Sequence, residues 1–246
     1  MMPTEERDRA KYAAGERAID EYFRDGMVVG LGSGTTSHWM VRALAPRVRA
    51  GLRVTGVPTS KATGELARSL GIPLADLNDH LELDVTLDGP DEIDREGRMI
   101  KGGGACLLWE KIVAAATRRY VVIADDRKLV DMLGRFPLPI EVIPFGWKST
   151  ERQIRKLFAS YGHEEVPMVL RGGLAKPVVT DSGHYLLDCS LGKIPEADEL
   201  AVRLNTIPGV VENGLFVEFG EAVVYGHTDG TAEVVLLGGR KPHAAR

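Results

Sequence analysis

Through its first half this chain alternates short apolar, β-type runs with helix-type stripes, and each run ends in a polar loop. Ala14, Ala18, Ile19, Tyr22 and Phe23 recur at helical spacing and stop at Asp25-Gly26, after which Met27 to Leu31 reads as a strand. Trp39, Met40, Ala43 and Leu44 mark a second helix, expected to end before Pro46 because proline disfavours helical geometry in the residue preceding it. Strands over 53–57, 84–87 and 120–124, and helices over 61–70 and 105–117, continue the series. The pattern predicts an α/β fold built on an open parallel sheet. Ligands of such sheets sit beyond the carboxyl ends of the strands, so the loops after Leu31, Val57, Leu87 and Ala124 should converge on one crevice.

The pattern changes at Phe136-Pro137-Leu138-Pro139. Beyond it come an expected strand (140–143), a helix (147–161) and a hairpin joining 178–180 to 185–188 across Asp181-Ser182-Gly183-His184. A helix over 196–206 and strands over 214–219 and 222–225 follow. This mixture over about 70 residues suggests a small α+β unit. The basic stretch 239–246 reads as a frayed polar tail.

Composition removes several function classes. A chain of 246 residues with 44% apolar content can bury a full core. Its net charge of -4 gives no footprint for nucleic acid, and no run is apolar enough to span a membrane or serve as a signal peptide. Only Cys106 and Cys189 are present, without metal or disulfide spacing, and the six histidines form no triad. A cytoplasmic protein without a metal or cofactor is expected.

Three loops carry candidate chemistry. Gly30-Leu31-Gly32-Ser33-Gly34-Thr35-Thr36-Ser37 follows a strand and opens a helix, where unpaired N–H groups and hydroxyls favour an anion. It is neither a dinucleotide fingerprint nor a P-loop, because the third glycine, the acidic ribose anchor and the Gly-Lys pair are missing. The plain alternative is a tight turn with hydroxyl caps. Asp88 and Asp91, in Asp88-Gly89-Pro90-Asp91-Glu92-Ile93-Asp94, stand where they could accept from sugar hydroxyls, or else cap an ordinary turn. Glu92 and Asp94 have no such argument and read as surface charge or caps. In Lys101-Gly102-Gly103-Gly104-Ala105, the lysine could project into the crevice and stabilise an oxyanion, while the glycines allow unusual angles or close approach. Glu110 follows on the next helix. In isolation it is a solvated side chain, whereas desolvated beside Leu107 it would have the raised pKa of a general base. Lys128 could reach the same anion from the loop after 120–124. The expected ligand is a small, anionic, polyhydroxylated molecule.

In this order, Gly32-Ser33-Gly34-Thr35-Thr36, Asp88-Gly89-Pro90-Asp91-Glu92-Ile93, Lys101-Gly102-Gly103-Gly104-Ala105 with Glu110, and Phe136-Pro137-Leu138-Pro139-Ile140-Glu141-Val142 resemble the motifs of the type A ribose-5-phosphate isomerase family. Pro177-Val178-Val179-Thr180-Asp181 and the stretch from Ile207 to Phe216 extend the likeness over most of the chain. The resemblance implies metal-independent interconversion of ribose 5-phosphate and ribulose 5-phosphate, a step of the non-oxidative pentose phosphate pathway. Glu110 would shuttle a proton between C2 and C1 through an enediolate. Asp88, Asp91 and Lys101 would hold hydroxyl and carbonyl oxygens. Ser33, Gly34, Thr35, Thr36, the glycines 102–104, Lys128 and Lys11 would bind the sugar phosphate. It also implies a Rossmann-like domain over 1–134 and 207–238, a ferredoxin-like domain over 135–206, and a homodimer or homotetramer.

Two departures keep every chemical group. Thr35-Thr36 replaces Ser-Thr, and Pro90 replaces an alanine and stiffens the acidic loop. Lys61 adds a charge close to the expected crevice. Two other classes compete: a non-catalytic sugar-phosphate sensor, which would leave the C2 proton unexchanged, and a nucleotide-dependent oxidoreductase, which would bind NAD. The first is disfavoured by the lack of a DNA-binding segment ahead of the core, the second by the missing ribose anchor.

Overall fold

A computed structural model of the protein describes residue 3 and residues 5–237; the expected tail over 239–246 lies outside the described residues. In chain order the first half contains α1 (Glu6–Tyr22), β1 (Val28–Leu31), α2 (Thr35–Arg49), β2 (Thr55–Pro58), α3 (Lys61–Ser69), β3 (Val85–Asp88), β4 (Glu92–Asp94), β5 (Met99–Ile100), α4 (Leu107–Ala115) and β6 (Tyr120–Asp125). A single 3-10 turn, Asp126–Lys128, leads to β7 (Leu129–Val130). The second half contains β8 (Leu138–Val142), α5 (Trp147–Ser160), β9 (Met168–Leu170), β10 (Tyr185–Cys189), α6 (Ala197–Leu204), β11 (Val210–Asn213), β12 (Leu215–Phe216), β13 (Gly220–Gly226) and β14 (Ala232–Leu236).

The chain is mixed α/β around a six-stranded sheet of order β14-β13-β6-β3-β1-β2, parallel throughout except for the β13–β14 edge pair. β3 and β6 are buried along their whole length, which explains their near-continuous apolar sequence: both faces of a parallel sheet are covered. After β1 the chain adds β2 on one side and β3 on the other, so the loops leaving β1 and β3 diverge at a topological switch point. The small helical stripe of α1, with Ala14, Ala18 and Ile19, and that of α2, with Met40, Val41 and Leu44, share one core with this sheet.

A second, antiparallel sheet of order β11-β8-β10-β9 packs with α5 and α6 around its own core of Ile140, Ile154, Phe158 and Leu187. The third sheet, β12-β5-β4-β7, is small but carries Asp91 just before β4 and Lys101 just after β5. No helix among the described residues is long and apolar enough to cross a membrane.

Three expectations need correction, and one strand lies outside the expected set. First, α2 runs through Pro46 to Arg49. Ala50 N–H donates to the Pro46 carbonyl at 2.9 Å, the Arg47 guanidinium donates to the Ala43 carbonyl, and Ala45 and Val48 continue the buried stripe. Burial of that stripe outweighs the local cost of the proline. Second, residues 178–180 are not a strand. β10 pairs instead with β9, whose three residues are too few to show a period, and Pro177 interrupts the segment between them. Third, the expected strand over 214–219 shrinks to β12, which joins β5 in the third sheet, while β11, just before it, joins β8 in the second. The second sheet therefore takes in residues beyond 206. The strand outside the expected set is β14, an edge strand that its short, half-exposed sequence does not announce.

Candidate active site

Asp88 ends β3 at the switch point and is 1% exposed. Its Oδ1 accepts from the Ser33 N–H at 3.1 Å, the Gly89 N–H at 2.7 Å and the Ser37 hydroxyl at 3.1 Å. Lys101, 1% exposed, places its ammonium 3.0 Å from Asp88 Oδ2, 3.2 Å from Glu110 Oε1 and 2.5 Å from the Gly89 carbonyl, with the Phe216 ring 5.5 Å away. Three oxygen neighbours account for its three N–H donors. Lys101 therefore does not project into the crevice, as the sequence suggested; it lies beneath the crevice and underpins Glu110.

Glu110 sits in the first turn of α4, 4% exposed, and its Oε2 has no hydrogen-bond partner. One ammonium cannot neutralise two carboxylates, and Asp88 already holds three donors. Burial, opposed by the Lys101 charge and reinforced by that of Asp88, pushes the Glu110 pKa up to about 8. Desolvation alone pulls Lys101 down, but the charges of Asp88 and Glu110 outweigh it and hold the ammonium well above its ordinary value.

The crevice above this buried group is lined by Ser33, Thr35, Thr36, Asp91, Glu110 and Lys128, with backbone from Gly34, Gly89, Pro90 and the three glycines 102–104. Asp91 accepts from the Gly103 N–H at 2.7 Å, and a Cβ at Gly103 would come within 2.5 Å of Asp91 Oδ1. The close approach that this glycine permits is thus that of Asp91. Gly34, at φ +89, is the N-cap of α2 and brings no side-chain cap to its first amides. Thr35, Asp91 and Lys128 also line an adjoining outer hollow with Arg7, Lys11, Arg127 and Arg135. Lys11 is buried there and pairs with Asp8 at 3.1 Å. Every candidate site residue thus lies in the crevice, in its outer hollow, or, for Asp88 and Lys101, directly under the crevice. Lys61 does not line it: its ammonium donates to the Asp181 carbonyl at 3.1 Å.

Of the two expectations for Glu92 and Asp94, surface charge or caps, the second holds. Both are buried caps: Glu92 accepts from the Gly134 and Phe136 N–H groups, and Asp94 from those of Glu96 and Arg98 and from the Arg98 guanidinium.

Residues 55–230 match the family model of ribose 5-phosphate isomerase A, also called phosphoriboisomerase A. The chain belongs to the ribose 5-phosphate isomerase A family. It is 53% identical over 228 residues to ribose-5-phosphate isomerase A 2 of Yersinia pseudotuberculosis, covering 92% of this chain and 97% of that protein. Among solved structures it is similar to ribose 5-phosphate isomerase from Plasmodium falciparum, with TM-score 0.87, 32% identity, and 93% and 98% of the two chains covered. It is also similar to a D-ribose-5-phosphate isomerase in complex with phospho-erythronic acid, with TM-score 0.83, 35% identity, and 92% and 97% covered.

Several groups of this family member escape a reading of its sequence. Ser37 reaches Asp88 from within α2. Thr59, Ser60 and Thr63 form a buried bed under the Ser33 hydroxyl, at 2.7, 2.7 and 3.1 Å. Ser60 also caps α3, and that capping position before a helix was the available signal. Arg171 donates to the Gly102 and Gly103 carbonyls from outside the expected crevice, with no local pattern to mark it.

Proposed function

We propose that this chain interconverts ribose 5-phosphate and ribulose 5-phosphate, with Glu110 carrying the proton between C2 and C1. The observation that carries this reading is a carboxylate in the crevice wall that is buried, lacks a partner on one oxygen, and stands 3.2 Å from a buried ammonium. A base poised near neutral pH is efficient in both directions, as a reversible isomerisation requires.

Ionised Glu110 removes the C2 proton of the open-chain aldose; the electron pair moves into the C1–C2 bond and the carbonyl π pair onto O1, forming the enediolate. O1 gains a proton, O2 loses one, and Glu110 returns its proton to C1. Asp91, half-buried in the wall, accepts from a sugar hydroxyl. Asp88 and Lys101 act from below, as the fixed charges that set the proton affinity of Glu110. The phosphate meets the uncapped start of α2 and Lys128, where helix amides and a cation favour an anion. The relative with phospho-erythronic acid supports a phosphorylated hydroxy acid as a fitting ligand for such a crevice.

The test is an NMR time course with ribose 5-phosphate in deuterated water without added metal. Ribulose 5-phosphate carrying deuterium at C1 is expected. Binding without conversion would instead favour the sensor.

A further inference from the structure

We infer that one segment of the second-sheet lobe, residues 171–184, is a positioning clasp that holds the catalytic elements in register: Arg171 grips the glycine turn, Ser182 grips α4 and Asp181 grips α3. This rests on the isomerase reading above.

Arg171 pairs with Asp188 of β10 through two bonds, at 2.9 and 2.5 Å, which fixes its guanidinium plane. The same group donates from one nitrogen to the Gly102 carbonyl at 2.9 Å and the Gly103 carbonyl at 3.1 Å. The planar fork of arginine suits such simultaneous contacts. Gly103 in turn donates its N–H to Asp91, so Arg171 reaches the crevice wall through one peptide unit. The Trp109 indole N–H donates to the Ser182 hydroxyl at 2.9 Å, one residue before Glu110. α4 has only nine residues and no side-chain cap, so a tether on its first turn limits its rotation. Asp181 accepts from the Lys61 N–H at 2.8 Å, at the first residue of α3, whose Thr63 and cap Ser60 hold the Ser33 hydroxyl.

The clasp has its own anchor. Buried Glu141 on β8 accepts from the Thr180 hydroxyl at 2.8 Å and lies 2.9 Å from His184 Nδ1, at the two ends of the turn. Arg171, Asp181 and Ser182 do not line the crevice or its outer hollow. They act through other residues, on two different parts of the reaction. Arg171 and Ser182 serve the proton-transfer geometry, and Asp181 serves the hydroxyl bed on the anion side.

Steady-state kinetics on the full chain with ribose 5-phosphate, with melting temperatures alongside, tests this. Arg171→Met is expected to lower kcat about 10- to 100-fold and Ser182→Ala about 3- to 10-fold, with KM within about 3-fold, because small misplacements of a base are costly. Ser182→Thr, which keeps the hydroxyl, restores kcat, and Asp181→Ala acts chiefly on KM. Trp109→Phe reads the α4 tether from its other end and should match Ser182→Ala. The clasp is overturned if Arg171→Met and Ser182→Ala turn over within 2-fold of wild type while Glu110→Gln is inactive. It is equally overturned if all variants lose kcat, KM and melting temperature together without rescue by threonine. An unfolded Arg171→Met leaves the decision to Ser182→Ala and Trp109→Phe. If the wild type itself does not isomerise the sugar, the isomerase reading fails first.

Discussion

The floor of the crevice and its mouth are built on opposite principles. At the floor, Asp88, Lys101 and Glu110 are almost entirely out of water, and they contact one another, the loops after β1 and β3, and α2. At the mouth, Arg7, Arg127 and Arg135 are exposed, and their partial neutralisation comes from nearby acids: Arg127 pairs with Asp125 at 2.8 Å and Arg135 lies 3.7 Å from Glu92. Charges in water interact weakly and are screened by salt, while charges in a dry pit change one another's proton affinity. The floor should therefore govern turnover and the mouth capture.

The sharpest way to break that division is Glu110→Gln. It keeps the shape of the side chain and removes the base, and kcat should fall by about 10³-fold or more in a steady-state assay, with KM changed only a few-fold. Near-normal turnover would return Glu110 to an ordinary helix residue. Lys101→Met comes next. Loss of the ammonium removes the one influence that lowers the Glu110 pKa, so kcat at pH 7.5 should fall about 10²-fold and recover partly at higher pH.

Lys128→Ala examines the other end. KM should rise about 10-fold with kcat nearly kept, about 1.4 kcal/mol of binding, and the wild-type KM should rise with ionic strength while that of the variant responds less. A large loss of kcat in Lys128→Ala would erase the distinction between floor and mouth.

The smallest expected effect is on stability. Because the folded-state pKa of Glu110 lies above its unfolded value, wild type loses stability as pH rises from the ordinary carboxylate range through about 8. Glu110→Gln escapes that loss. The melting-temperature difference between variant and wild type should shift in the variant's favour from pH 5 to pH 9.

The mouth and the floor also differed in how much of them the sequence revealed. Groups placed by their own strand end or helix start were legible: Ser33, Thr35 and Thr36 before α2, Asp88 at the end of β3, and Lys128 after β6. Their positions follow from period, glycine and the geometry of open sheets. The state of the floor was not legible, nor that of Glu92 at the mouth, because burial of Lys101 and Glu92 depends on groups that only the fold brings together. Glu92 is held by Gly134 and Phe136, more than 40 residues away, and no local composition records that. Glu110 illustrates the limit: its own helix offers Leu107 as an apolar neighbour, but only the fold brings Asp88 and Lys101 against it. Pro46 failed for the same reason in reverse, since a local penalty was overridden by the core packed around Ala45 and Val48.

The central claim is that ionised Glu110 is an effective base because the floor raises its proton affinity, to a pKa of about 8. The pH dependence of kcat/KM between pH 5 and pH 9.5 tests it directly. The account predicts an acid limb, with activity present above and lost below an apparent pKa near 8, apart from the substrate phosphate, which titrates near about 6. A profile level from pH 9 down to pH 6.5 would contradict it.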